Sequence, residues 1–79
     1  MHIVYILKST KNPNRHYVGV CNDLKARIAE HNSGECKTTC KGGPWKLETA
    51  IYFSDEVKAN AFERYLKTGS GRAFSIRHL

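Results

Sequence analysis

The chain has 79 residues, and a domain of this length buries only about 60% of the surface its unfolded chain exposes, so there is no room for a second lobe or an enclosed pocket. Hydrophobic residues make up 41% and charged residues 25%, an ordinary balance for a folded soluble domain, and the longest apolar run, Ile3 to Leu7, is far too short to cross a bilayer. Thirteen Lys and Arg against seven Asp and Glu leave a formal charge of +6, which argues for a polyanionic partner and is silent on fold.

His2 to Lys8 reads as a strand, rich in β-branched and aromatic residues and apolar on both faces, so an interior position is expected. No basic segment precedes it and no small-residue cleavage site follows, so the expected compartment is the cytoplasm, with no membrane association. Ser9 to Arg15 collects Asn, Pro and Lys as a hairpin loop. His16 to Val20 is a second strand, with Tyr17 and Gly19 on one face and Val18 and Val20 on the other. A glycine inside a short strand marks a bulge or the close approach of another group.

Asn22 or Asp23 caps a helix that ends in Asn32-Ser33-Gly34. From Cys36 to Lys46 there is no acidic residue, while Lys37, Lys41 and Lys46 alternate with small hydroxyl and glycine positions suited to phosphate oxygens. Trp45 to Phe53 alternates as a third strand, and Ser54 is the expected cap of a second helix. Its apolar arc runs from Val57 through Ala61, Tyr65, Phe62 and Leu66 to Ala59, with Glu63 just beyond the far edge. Gly69 is expected to terminate this helix, and Arg72 to Leu79 to form a short closing one. The order β, β, α, β, α, α over residues 1–79 describes one α/β domain, a small antiparallel sheet flanked by helices.

The first helix breaks its own pattern. Leu24 and Ile28 are apolar four apart, so the inward stripe should continue at positions 27 and 31, which hold Arg27 and His31. With Leu24 at zero, Ile28 falls near +40°, His31 near −20° and Arg27 near −60°. Two ionisable groups flank the apolar face of this helix, so it either lines a polar cleft or meets specific partners. The three cysteines, Cys21, Cys36 and Cys40, offer neither a disulfide framework nor four ligands for zinc, and no zinc is expected.

Ile3-Val4-Tyr5 and Tyr17-Val18-Gly19, separated by a hairpin loop and followed by Arg27, His31 and the Glu63 of Phe62-Glu63-Arg64-Tyr65, resemble the two half-motifs and the downstream residues of the GIY-YIG nuclease superfamily, particularly its small stand-alone bacterial members. The resemblance implies a three-stranded antiparallel sheet flanked by helices. It also implies hydrolysis of DNA phosphodiester bonds with one Mg2+ or Mn2+ held by Glu63. Tyr17 would deprotonate or orient the water, Tyr5 would position it, Arg27 would stabilise phosphoryl charge, and His31 would assist proton transfer or orient Tyr17. Gly19 belongs to the motif backbone. The Asn that such proteins often carry after the metal-binding Glu has no clear match around Phe74 to Ile76. Substrate selectivity, including any preference for branched nucleic acid, is expected to be structural or supplied by a protein partner. The competing reading is a non-catalytic nucleic-acid-binding module that keeps the fold.

Overall fold

A strand that is apolar on both faces must be covered on both. In the computed structural model, which describes residues 2–12, 14–33 and 44–79, the first strand takes the central place that this requires. The elements are β1 (His2–Ser9), β2 (His16–Cys21), α1 (Leu24–Ser33), β3 (Trp45–Phe53), α2 (Glu56–Leu66) and α3 (Gly69–His78). The sheet order is β2-β1-β3, both pairings are antiparallel, and the ββαβαα order matches the expectation.

Side chains of β1 divide by parity between two cores. Ile3, Tyr5 and Leu7 pack with Cys21 and Trp45 beneath Leu24 and Ile28 of α1. Val4 and Ile6 pack with Ala59 and Leu66 of α2, flanked by Val18, Val20, Phe53, Phe62 and the Phe74 of α3. The result is three layers, with α1 on one face of the sheet and α2 and α3 on the other.

Several boundaries differ from the sequence expectation, each for a local reason. β3 does not keep its alternation: Ile6 pairs with Thr49 but Leu7 with Leu47, leaving Glu48 as the extra residue of a bulge. The parity therefore switches, so that Trp45 joins the α1-side core and Phe53 the opposite one. Asp55, rather than Ser54, caps α2, accepting hydrogen bonds from the Val57 N–H at 2.8 Å and the Lys58 N–H at 3.4 Å. A carboxylate is the stronger acceptor there and also complements the helix dipole. Of the two candidates at α1, Asp23 is the cap, its Oδ1 accepting from the Ala26 N–H at 3.1 Å.

The buried side of α2 centres on Ala59, Phe62 and Leu66, while Val57 stays 74% exposed. Fully buried Ala59 lets the helix come close to the sheet, and this contact rotates the Val57 end of the apolar arc into solvent. Gly69 does not end α2 but begins α3, which Thr68 caps by accepting from the Gly71 N–H at 3.1 Å. The glycine that this corner requires is Gly71, because a Cβ there would overlap the Tyr65 carbonyl oxygen and lie 2.5 Å from its carbon. Among the described residues no helix is long and apolar enough to cross a membrane.

Candidate active site

Tyr5 stands opposite Gly19 in the β1–β2 ladder. Its ring leans across that position: a Cβ on residue 19 would come within 2.5 Å of Tyr5 Oη and 2.6 Å of Cζ. The missing side chain is thus the space the phenol occupies, and close approach, rather than a bulge, accounts for the glycine. From there Tyr5 Oη lies 2.9 Å from Nε2 of His31, in the last turn of α1. Both side chains are almost completely buried, at 1% and 2% exposure. Tyr17, two residues before Gly19 and on the same face, closes the cluster with its ring centroid 4.8 Å from His31 and 6.3 Å from Tyr5. Among the described residues Tyr17 makes these ring contacts and no side-chain hydrogen bond, and it stays half-buried.

An imidazole and a phenol inside an apolar layer would each cost free energy unless hydrogen-bonded, and each satisfies the other. Burial pushes the His31 pKa below its ordinary 6.5; the positive charge of Arg27 pushes the same way and Glu30 partly opposes both. His31 is therefore neutral at pH 7. A neutral ring accepts the Tyr5 proton at Nε2 or, as the other tautomer, donates its own, so the pair shares one transferable proton.

Arg27, one turn before His31, remains at the surface with its side chain 46% exposed, and its Nε is 3.8 Å from Glu30 Oε2. Its charge is felt at both His31 and Cys21, so it stands beside the cluster without entering it. An exposed pair at that distance is weak, and the guanidinium can exchange it for a phosphate. Glu63 lies in the other layer, on α2, with its side chain only 16% exposed and Oε2 2.5 Å from Lys67 Nζ. Position 63 falls about 40° from buried Ala59 on the helix, which explains the partial burial. Lys67 and Tyr17 both line an open groove between the β2 edge and the α2–α3 corner. The structure thus brings Tyr5, Tyr17, Gly19 and His31 into contact, sets Arg27 next to them, and holds Glu63 on the far layer, paired to a groove residue.

Lys46 is exposed on β3, whereas Lys37 and Lys41, with Cys36 and Cys40, lie outside the described residues. One positioning residue escaped the sequence reading. Asn32 accepts from the Trp45 N–H at 2.6 Å and donates to the Trp45 carbonyl at 3.1 Å, tying the end of α1, and with it His31, to the start of β3. An asparagine at a helix end reads as a cap, which hides a tertiary role. Lys67 is a second such residue, and its i,i+4 spacing from Glu63 is the signal in the sequence that points to it.

The pattern of the GIY-YIG catalytic domain matches residues 1–75. The chain belongs to the GIY-YIG family. Over 83 residues it is 35% identical to the structure-specific endonuclease subunit SLX1 of Candida dubliniensis, a match covering 96% of this chain and 28% of that protein. It is 38% identical over 68 residues to the UPF0213 protein CPE1444 of Clostridium perfringens, covering 85% of this chain and 71% of the relative. The UPF0213 protein VPA1222 of Vibrio parahaemolyticus is 35% identical over 65 residues, or 81% and 59% of the two chains. The GIY-YIG domain described here thus spans little more than a quarter of the SLX1 relative and well over half of the two bacterial ones.

Proposed function

We propose that residues 1–79 form a single catalytic domain that hydrolyses phosphodiester bonds in DNA with the help of one divalent ion, Mg2+ or Mn2+. The observation that carries this reading is the Tyr5–His31–Tyr17 cluster, a proton-sharing pair in contact with a half-buried phenol, beside a weakly paired arginine. Membership of the family supports it. The SLX1 relatives are named as structure-specific endonuclease subunits, which favours branched DNA as substrate and a protein partner in selecting it.

The Glu63 position fits a divalent ion. It is a hard oxygen donor, largely shielded from water, that already accommodates a cation in the Lys67 ammonium. A single carboxylate suits an ion that retains most of its waters. Bound there, a divalent ion would supply charge stabilisation for the phosphoryl and leaving oxygens. In hydrolysis the water oxygen bonds to phosphorus, the P–O bond to the leaving strand breaks, and a water proton must be removed. Tyr17 orients the water, and the neutral Tyr5–His31 pair beside it takes up the proton. Arg27 turns from Glu30 to bind two phosphoryl oxygens, a match that a planar guanidinium makes and an ammonium does not.

Single-turnover cleavage of supercoiled, linear and branched DNA, in magnesium and in chelator, tests the proposal. Arg27→Ala should lose about 10² to 10³ in rate, and Arg27→Lys should not restore it. Glu63→Ala should abolish metal-dependent cleavage with DNA affinity within a few fold, because its loss removes transition-state stabilisation rather than ground-state binding. Equal cleavage in all variants would refute the site. A folded wild type that binds DNA and never cuts it would transfer the argument to the binding-module reading.

A further inference from the structure

The register across the sheet places His16 opposite Lys8 and Lys8 opposite Lys46, so three basic side chains form one row on the face shared with α2 and α3. Lys8 and Lys46 are like charges directly opposite one another, an arrangement that destabilises a sheet. The row also continues into the groove at the β2 edge, through His16. That groove is lined by Arg15, His16, Lys67 and Arg72, and its one side-chain carboxylate among the described residues, Glu48, stands 3.4 Å from His16. Glu48 reaches His16 because it is the extra residue of the β3 bulge. Among the described residues Lys8, Arg15, Lys46 and Arg72 have no carboxylate partner. Tyr17 lines the same groove, and Lys67 connects it to Glu63.

We propose that this row and groove form a binding track for the phosphodiester backbone of DNA, leading a strand over Lys46 and Lys8, past Arg15 and Arg72, to Tyr17. The track deepens the nuclease reading and rests on it for the identity of the polymer. It differs from the basic segment between Cys36 and Lys46 in sharing only Lys46. The cations repel one another in the free protein and are relieved when phosphates enter, so the same side chains that weaken the sheet strengthen the complex.

The test is equilibrium binding of a fluorescent DNA duplex and of a branched DNA in chelator, across a salt series, with wild type and Lys46→Gln/Arg72→Gln. A control of equal charge, Lys25→Gln/Lys58→Gln, removes cations from α1 and the start of α2. Losing two phosphate contacts should flatten the slope of log K against log salt by about two units in the first variant, its curve meeting that of wild type at high salt. The control should change the slope by less than about half a unit. Thermal unfolding serves as the folding check, and Lys46→Gln alone should be no less stable than wild type. Equal slopes in both double variants would overturn the track, and tighter, track-dependent binding of an RNA duplex would overturn its assignment to DNA. Binding in chelator is independent of cleavage in magnesium. A wild type that uses the track but cuts nothing refutes the nuclease reading alone, whereas cleavage with a salt slope unmoved by Lys46→Gln/Arg72→Gln refutes the track alone.

Discussion

The two faces of the sheet are built from alternate residues of the same strands, yet they treat polarity in opposite ways. On the α1 face a phenol and an imidazole lie inside the packed layer, each satisfied by the other. On the α2 face the packed layer is apolar, from Val4 and Ile6 to Phe62, and the charges stand at its rim, on Lys8, Lys46, Arg15 and Arg72. Buried groups respond to protons and to packing, whereas rim charges respond to salt, because screening acts on exposed pairs far more than on enclosed ones. On the function proposed above, the difference separates two tasks, proton handling on one side and polyanion attraction on the other.

Each face also depends on one glycine, and substituting the two should sharpen the contrast. Gly71→Ala is expected to have the largest effect on stability, since its Cβ would meet the backbone of Tyr65 and Leu66, which cannot rotate away. A loss at or above the top of the ~1 to 3 kcal/mol range for overpacking would take much of the stability of so small a domain. Chemical denaturation measures it, and a loss below 1 kcal/mol would mean that the α2–α3 corner yields more easily than its geometry suggests. Gly19→Ala should cost less, within about 1 to 3 kcal/mol, because the obstacle is the Tyr5 ring. It should nevertheless displace the phenol from His31, which NMR of the His31 ring would register, and reduce cleavage more than Gly71→Ala does in whatever fraction stays folded. An unshifted His31 resonance would break the link between Gly19 and the cluster.

The smallest expected effect is on pH dependence. The folded-state pKa of His31 is depressed, so the unfolded chain binds the proton more readily, and stability rises with pH. The contribution is fully present above the unfolded value of about 6.5 and is lost as pH falls through the folded one. Melting temperature should therefore decline from pH 7 toward pH 5, and His31→Gln should flatten this decline. An equal decline in the variant would assign it to other groups. On the α2 face the variable that matters is salt, which should move DNA binding there by screening the rim charges.

Much of this was legible in the chain. The apolar run from Ile3 to Leu7 demanded a central strand, and the interruption of the Leu24–Ile28 stripe by Arg27 and His31 flagged the helix that carries the cluster, because side-chain periodicity is a local property of each element. Which of those two ionisable residues goes inside was not local. His31 is buried because Tyr5 meets it across a glycine on a neighbouring strand, while Arg27 has no such partner in the layer among the described residues and stays in solvent. Glu63 shows the same limit, since the helical wheel leaves it at a boundary and only the packing of Ala59 on the sheet turns it partly inward.

By itself, then, the amino-acid sequence determined the element order, the two-sided burial of β1 and the net positive charge, each of which follows from residues close together in the chain or from composition alone. Tertiary structure decided the rest. The Glu48 bulge sent Trp45 and Phe53 to opposite cores, the α2–α3 contact made Gly71 rather than Gly69 the indispensable glycine, and strand register lined up His16, Lys8 and Lys46. The physical reason is common to all three. Pairing and close packing depend on the separation of atoms distant in sequence, and a shift of one residue in register exchanges the faces on which every side chain of a strand is displayed.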